Sequence, residues 1–472
     1  MTADPHIPTA TDTGTGDVPD GSGYDSPEAT SGGPAIGGRL AQTLAYLRRF
    51  GALRRNARLY LISNTIQAVT AGAIAVLYTL FLSALGYNDA FIGAALFVAT
   101  VGGGLGILPA NALVKRYGWR AMLLWSDLIG GVAIAIQLLL PTPAVTLITM
   151  LGVGASVAIF LVLNTPFLTA NSAPQDRTAL FALSNALGFL GAVTGTLLGG
   201  FLPVWLASPA IASSAPLVAL RPLLVHSAQA QLYQLALLIT GVLAVPSIWP
   251  AWLLRDAESD APPDTATAAL VPALPWRERQ AQWRALALRL ARGVIGRFSA
   301  SQVLVGFGAG LFFPYLSLYF VKQLHASTAY YGTFSAALTV LLAISSLASA
   351  PLADRFGRAR VSVLAQVASL PFLVLSGAVP ILTVVAAVYL VRSLLMNITG
   401  APLQALLMDA VPHEQRIVAS NVYNVSWQVA WAIGAGLGGG LITLGGYALP
   451  FYVAAVCYTI SAVLLARWFW RR

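Results

Sequence analysis

The sequence predicts an all-α polytopic membrane protein, with twelve transmembrane helices in two six-helix, pseudo-symmetric bundles. Three observations carry this reading. Only 9% of the 472 residues are charged while 57% are hydrophobic, against about 25% charged in ordinary soluble domains. So little polar surface cannot coat a water-soluble globule. Apolar runs recur along the chain at about the 20 residues needed to cross the hydrocarbon core. The second half also repeats the first at a constant spacing.

Residues 1–38 differ from the rest. They carry Asp4, Asp12, Asp17, Asp20, Asp25 and Glu28 among Gly, Ser, Thr and Pro, with no Lys or Arg. Nothing there builds a core, and the segment reads as a disordered cytoplasmic tail. It lacks the basic start and apolar run of a signal peptide. Spans are then expected near 59–82, 90–110, 120–140, 143–168, 179–205 and 232–254. A second set follows at 297–321, 329–350, 360–378, 381–408, 417–442 and 448–469. This organises the chain as the tail, a first bundle over 39–254, a cytoplasmic linker over 255–296 and a second bundle over 297–472. The linker opens acidic (Asp256, Glu258, Asp260, Asp264) and turns basic, with Trp276 and Trp283 interleaved. Its second part has the composition of a helix lying on an anionic leaflet, although a plain connector accounts for it more simply.

Charge orients the spans. Arg48, Arg49, Arg54, Arg55 and Arg58 precede span 1, and Lys115, Arg116 and Arg120 lie between spans 2 and 3. Arg177, Arg355, Arg358, Arg360, Arg416 and the basic run before span 7 fall on the same side. The opposite loops hold only Arg221 and Lys322. Basic loops stay cytoplasmic, so both termini are expected in the cytoplasm of a cell lying behind its plasma, or inner, membrane.

The repeat places Gly93 on Gly332, Arg116 on Arg355, Gly118 on Gly357, Arg177 on Arg416 and Asn185 on Asn424, each 239 residues apart. Arginine is the informative residue. Residues 85–200 contain three and 324–439 contain five, and random placement gives about 0.13 coincidences where two occur. Parallel six-span repeats set a solute site between them near the bilayer midplane.

Two loops carry a family pattern. Between spans 8 and 9 stand Ala350, Asp354, Arg355, Gly357 and Arg358, and between spans 2 and 3 stand Asn111, Lys115, Arg116, Gly118 and Arg120. The chain here resembles the major facilitator superfamily over about residues 50–470, whose pattern is Gly-x-x-x-Asp-Arg-x-Gly-Arg. Ala350 replaces the first glycine, and Lys115 replaces the aspartate in the first copy. Gly191, Gly195, Thr196, Gly199 and Gly200 resemble the family's antiporter motif, with Thr196 in place of proline. Small residues at this spacing also serve close helix packing.

The resemblance implies a secondary transporter working by alternating access. Its cytoplasmic gate would comprise Arg116, Gly118, Asp354, Arg355, Gly357, Arg358, Asp409 and Arg416, with Asp409, Glu414 and Arg416 in the next cytoplasmic loop as partners for the charges of the motif loop. Related transporters often carry an arginine in span 4, where this chain has Val153. The antiporter-like stretch favours export of a drug-like or other small organic molecule. Import or facilitated passage of a sugar-like solute, and a non-transporting sensor, are the alternatives.

Charges inside spans are costly, about 2.5–3.5 kcal/mol each on insertion scales. Asp127 in span 3 is the candidate for proton coupling, with a helix–helix hydrogen bond or pairing with a basic loop residue as the alternative. Arg392 in span 10 is near mid-depth and needs compensation from water, backbone carbonyls, an amide such as Asn397, or an anionic group on the solute. Neutral polar residues fall in helical stripes: Ser63, Gln67 and Thr70; Asn424, Trp427, Gln428 and Trp431. With Asn164, Asn185, Gln302, Tyr315, Arg392 and Asn397 they are the substrate-binding candidates, and the same residues suit interhelical hydrogen bonds.

Enzyme chemistry is not expected. His6, His226, His325 and His413 are scattered, and Cys457 is the lone cysteine, so no clustered acid, base or metal-ligand set is visible. No cofactor, no metal and no nucleic acid are expected. The expected partners are the lipid bilayer, a small solute and protons, and the protein is read as a monomer.

Overall fold

A computed structural model describes residues 53–172, 176–214, 224–255 and 293–470. The tail at 1–38 and most of the linker, 256–292, lie outside these residues. Among the described residues there is no β-strand, and twelve helices are long and apolar enough to cross a membrane.

The first six are α1 (Arg55–Ala84), α2 (Asp89–Ile107), α3 (Ala112–Leu139), α4 (Pro143–Ala170), α5 (Ala179–Leu206) and α6 (Ala228–Trp252). The last six are α7 (Val294–Gln323), α8 (Thr328–Phe356), α9 (Arg358–Ala378), α10 (Leu382–Ala410), α11 (Val418–Gly445) and α12 (Ala448–Phe469). Each expected span is present, with ends shifted by a few residues. Part of the shift is capping, which apolar runs do not register. The side chains of Asn88, Thr142, Ser227 and Ser327 accept the free backbone N–H groups of Phe91, Val145, Ala230 and Tyr330, and so start α2, α4, α6 and α8.

The turns show the repeat in space. Gly118, φ 81°, interrupts a helical run that extends from Asp89 to Leu139. Gly357, φ 88°, separates α8 from α9. Both angles are open to glycine and strained for other residues. The turns after α1 and α7 also match: Gly86 has φ 91° and His325 has φ 52°. The latter is unusual for a side-chain-bearing residue.

Within lipid there is no hydrophobic drive between helices, so close backbone approach does the packing. Gly191, Gly195 and Gly199 of α5 lie against Thr65, Val69 and Ala73 of α1, and a β-carbon at Gly195 would collide with the Val69 carbonyl oxygen. The second half repeats this, with Gly434 and Gly438 of α11 against Phe307 and Leu311 of α7. The antiporter-like stretch is therefore used for helix packing.

The two sets of six helices meet through α5 with α8 and α2 with α11. Among the described residues, their shared hydrogen bond and glycine contacts fall at the end opposite the Gly118 and Gly357 turns. Thr79 of α1 and Ser317 of α7 share a hydrogen bond of 2.6 Å. Gly200 of α5 abuts Gly332 of α8, Gly93 of α2 abuts Tyr315 and Gly436, and Gly439 of α11 abuts the Asp89 carbonyl. At the other end Arg116, Asn185, Asp354 and Asn424 are exposed. Among the described residues, the hydrogen bond and glycine contacts named above join the halves at the end opposite the one that the charge bias assigns to the cytoplasm.

Candidate functional site: a buried carboxylate in the first half and a caged arginine in the second

Asp127 sits on α3 roughly two turns beyond Gly118. The amide of Gln67, on α1, donates to its Oδ1 at 2.8 Å and lies 3.5 Å from Ser63 Oγ. Asp127 Oδ2 is buried with no hydrogen-bond partner, and so is the hydroxyl of Tyr60. These groups line a small cavity completed by Leu123 of α3, Phe160 of α4, and Ala251 and Leu254 at the end of α6. It has room for about one water. Four helices of one half thus enclose a carboxylate that is only half satisfied. Such a group can hold or release a proton without breaking an ion pair.

Arg392 is compensated by a route outside the expected set. It is 6% exposed and its Nη2 donates to the Tyr458 hydroxyl of α12 at 2.9 Å. The guanidinium lies 5.0 Å from the Phe312 ring, 5.4 Å from Tyr458 and 5.7 Å from Tyr389, so three aromatic faces stabilise the cation. Its Nε and the Tyr389 hydroxyl have no hydrogen-bond partner. The cage is built from α7, α10 and α12, and the main packing partners of α12 are α7 and α9. Arg392 therefore lies inside the second half. Asn397 takes no part; it donates to Leu342 O at 2.8 Å and Ser345 Oγ at 2.6 Å on α8.

The other candidates divide by surroundings. Tyr315 is buried and donates to Ala435 O at 2.5 Å, at the joined end of the halves. Gln302 is buried in α7, and Asn164 keeps a buried Oδ1 without a partner. Asn185 and Gln428 are exposed. Asn424 is also exposed and donates to its own helix at Ser420 O, 2.9 Å. Trp427 and Trp431 stack 6.4 Å apart, and their carbonyls receive Gly306 and Gly310.

In the motif loops Arg358 meets Asp409 and ties α9 to α10 within one half, and Asp354 is exposed. Arg416 Nε donates to Met408 O at 3.1 Å. Arg116 and Arg355 lie over their neighbouring rings, Tyr117 and Phe356, each at 5.3 Å.

Two polar groups escaped the sequence reading. Asn56, at the start of α1, is fully buried and bonded to Asn171 and the backbone of Arg255. Asp89, at the start of α2, buries Oδ1 without a partner at the joined end, in electrostatic range of Lys322. Burial first, and the Asp89 charge second, push the phenol of Tyr447 in the α11–α12 turn up. Both stand at helix ends, where polar residues are ordinary, so no local signal in the sequence distinguishes them.

Comparison with known proteins fits this architecture. A family model described as Major Facilitator Superfamily matches residues 60–297 and 298–472. The Escherichia coli (strain K12) protein named uncharacterized MFS-type transporter YdeE is 25% identical over 172 residues, 36% of this chain. The match spans 42% of that relative's length. Among solved structures, a mutant of the nucleoside transporter NupG has a TM-score of 0.68 at 13% identity, covering 88% of this chain and 100% of the other. A bacterial homologue of the human lysosomal transporter Spinster, inward-facing and occupied, has a TM-score of 0.66 at 13% identity over 88% and 97%. The E. coli fucose:proton symporter FucP has 0.52 at 16% over 89% and 98%. These structural likenesses are of fold alone. With the family match covering nearly the whole twelve-helix region, the chain belongs to the Major Facilitator Superfamily.

Proposed function

We propose that this secondary transporter exports a small, drug-like organic solute in exchange for protons, with Asp127 carrying the proton. The observation that supports this reading most is the half-satisfied carboxylate in a water-sized cavity, paired with an amide instead of a cation. An intramembrane acid held at this cost marks a functional group. The solute would be recognised between the halves by Asn164, Asn185, Gln302, Asn424 and Gln428, with Trp427 and Trp431 offering flat apolar faces. The test is transport by the purified protein in liposomes, with a solute panel and an imposed pH gradient. Gradient-driven movement lost in Asp127→Asn is the expected result. Unchanged proton dependence in that variant removes Asp127 from the mechanism.

The glycine stretch that inclined the sequence reading toward export is accounted for by contacts with α1. Import of a sugar-like solute through the same amide-bearing path is therefore the second reading, and the gradient direction that drives accumulation separates the two.

In the opposite conformer the motif end closes. Asp354, exposed here, would then meet a helix N-terminus of the first half, where a carboxylate is stabilised. Asp354→Asn should slow cycling with solute affinity kept, and Lys115→Ala should matter less. The protein is placed as a monomer in the plasma membrane, or cell inner membrane, with cytoplasmic termini. Cysteines at Ser213 and Ser259, with Cys457 removed, should label from opposite sides.

A further inference from the structure

Asn56 opens α1 from a fully buried position. Its Nδ2 donates to Asn171 Oδ1 at 2.9 Å and to Arg255 O at 2.8 Å, and its Oδ1 accepts from Arg255 N at 3.1 Å. Asn171 in turn donates to Phe167 O at 3.0 Å. One side chain thus satisfies both backbone groups of Arg255, three residues past the end of α6, and joins them to the end of α4. A buried amide needs such partners, and here they include both backbone groups of Arg255. What the amide adds is a fixed position for the backbone at 255.

The preceding residue is Leu254, which is buried and forms part of the wall of the Asp127 cavity. Its own helical bond is weak, a 3.4 Å contact to Ala251 O, and terminal turns of this kind fray. Tyr60, one turn beyond Asn56 on the same face of α1, is the adjoining wall. Its ring is held 4.9 Å from Phe167 and 6.1 Å from Phe160. Leu254 and Tyr60 therefore close the cavity at the end where the central linker leaves the bundle, and both are anchored through the first turns of α1.

We propose that Asn56 is a positioning residue that clips Leu254 over the Asp127 cavity and so sets the access of water and protons to that carboxylate. The inference rests on reading Asp127 as the proton carrier. Opening the clip frees the last turn of α6, admits water from the linker end and lets the carboxylate exchange protons out of step with solute. The hydrogen bonds of the clip described above all lie within the first half.

The experiment uses the full chain with Cys457→Ser and a reporter cysteine at Ser63, a buried cavity-lining position. Purified protein in liposomes is reacted with a small, water-soluble methanethiosulfonate. Asn56→Ala should raise the labelling rate about tenfold, the scale of losing one or two local hydrogen bonds. Leu254→Ala, which leaves the clip intact and removes the lid, should raise it comparably. In the parent without the reporter, Asn56→Ala should add a solute-independent proton leak with solute affinity unchanged. An unchanged labelling rate in Asn56→Ala overturns the clip, and an unchanged rate in Leu254→Ala overturns the lid and the proposal with it. Proton-driven transport surviving in Asp127→Asn defeats the parent reading whatever the labelling shows. Loss of that transport with unchanged labelling in Asn56→Ala defeats the clip alone.

Discussion

Each half of the molecule holds an ionisable residue well inside a span, Asp127 in the first and Arg392 in the second, and the two are treated differently. Asp127 in the first half receives one amide hydrogen bond and leaves an oxygen unpartnered beside a water-sized cavity. Arg392 in the second half is surrounded by three aromatic rings and bonded to Tyr458. A delocalised guanidinium is well served by π faces and a phenol. A carboxylate gains nothing from such faces and needs donors, which the first half supplies sparingly. The halves share a backbone plan, but one leaves its charge half satisfied beside a cavity and the other locks its charge into packing.

The largest expected effect comes from Asp127→Asn, which should abolish pH-gradient-driven transport in liposomes while the protein still folds and inserts. Retained coupling would erase the contrast from the acidic side. Next, Gly332→Leu should stop the halves closing against Gly200. Transport should fall at least about tenfold, since a leucine there adds overpacking strain of roughly 1–3 kcal/mol. Thermal stability should be kept, because the contact lies between halves. Gly195→Leu, set inside the first half against Val69, should instead destabilise the fold itself. Equal melting losses for the two would mean that the halves do not behave as separate units.

Arg392→Gln tests the other side of the comparison. Losing the cage should cost about 2–4 kcal/mol of stability, visible as a lower melting temperature in detergent. Solute affinity in the folded fraction should stay within about twofold. Loss of binding with full stability would return Arg392 to the solute site that its depth in the span suggested. The smallest effect is expected from Ser317→Ala. It removes the hydrogen bond to Thr79 and should favour opening at that end by about 1 kcal/mol, read as faster labelling of a cysteine at Gly436.

The number of spans was legible in the sequence because run length against bilayer thickness is a local property, and the repeat because both copies stand in the chain at one offset. Span ends were less legible, since caps such as Asn88 and Ser327 act outside the apolar run. Asp127 and Arg392 stood out because charge within a span is rare.

What surrounds those charges only the tertiary structure decided. Gln67 meets Asp127 across 60 residues of chain, the Arg392 cage gathers three helices, and Asn56 reaches Arg255 across 199 residues. The same amides at the same helical spacing serve a cavity, a helix contact or a chain end depending on which helix lies beside them. In a membrane that adjacency is set by close backbone approach at glycines and by paired polar groups. Stripes of polar residues therefore identify the faces available, and packing selects which of them reach a charge.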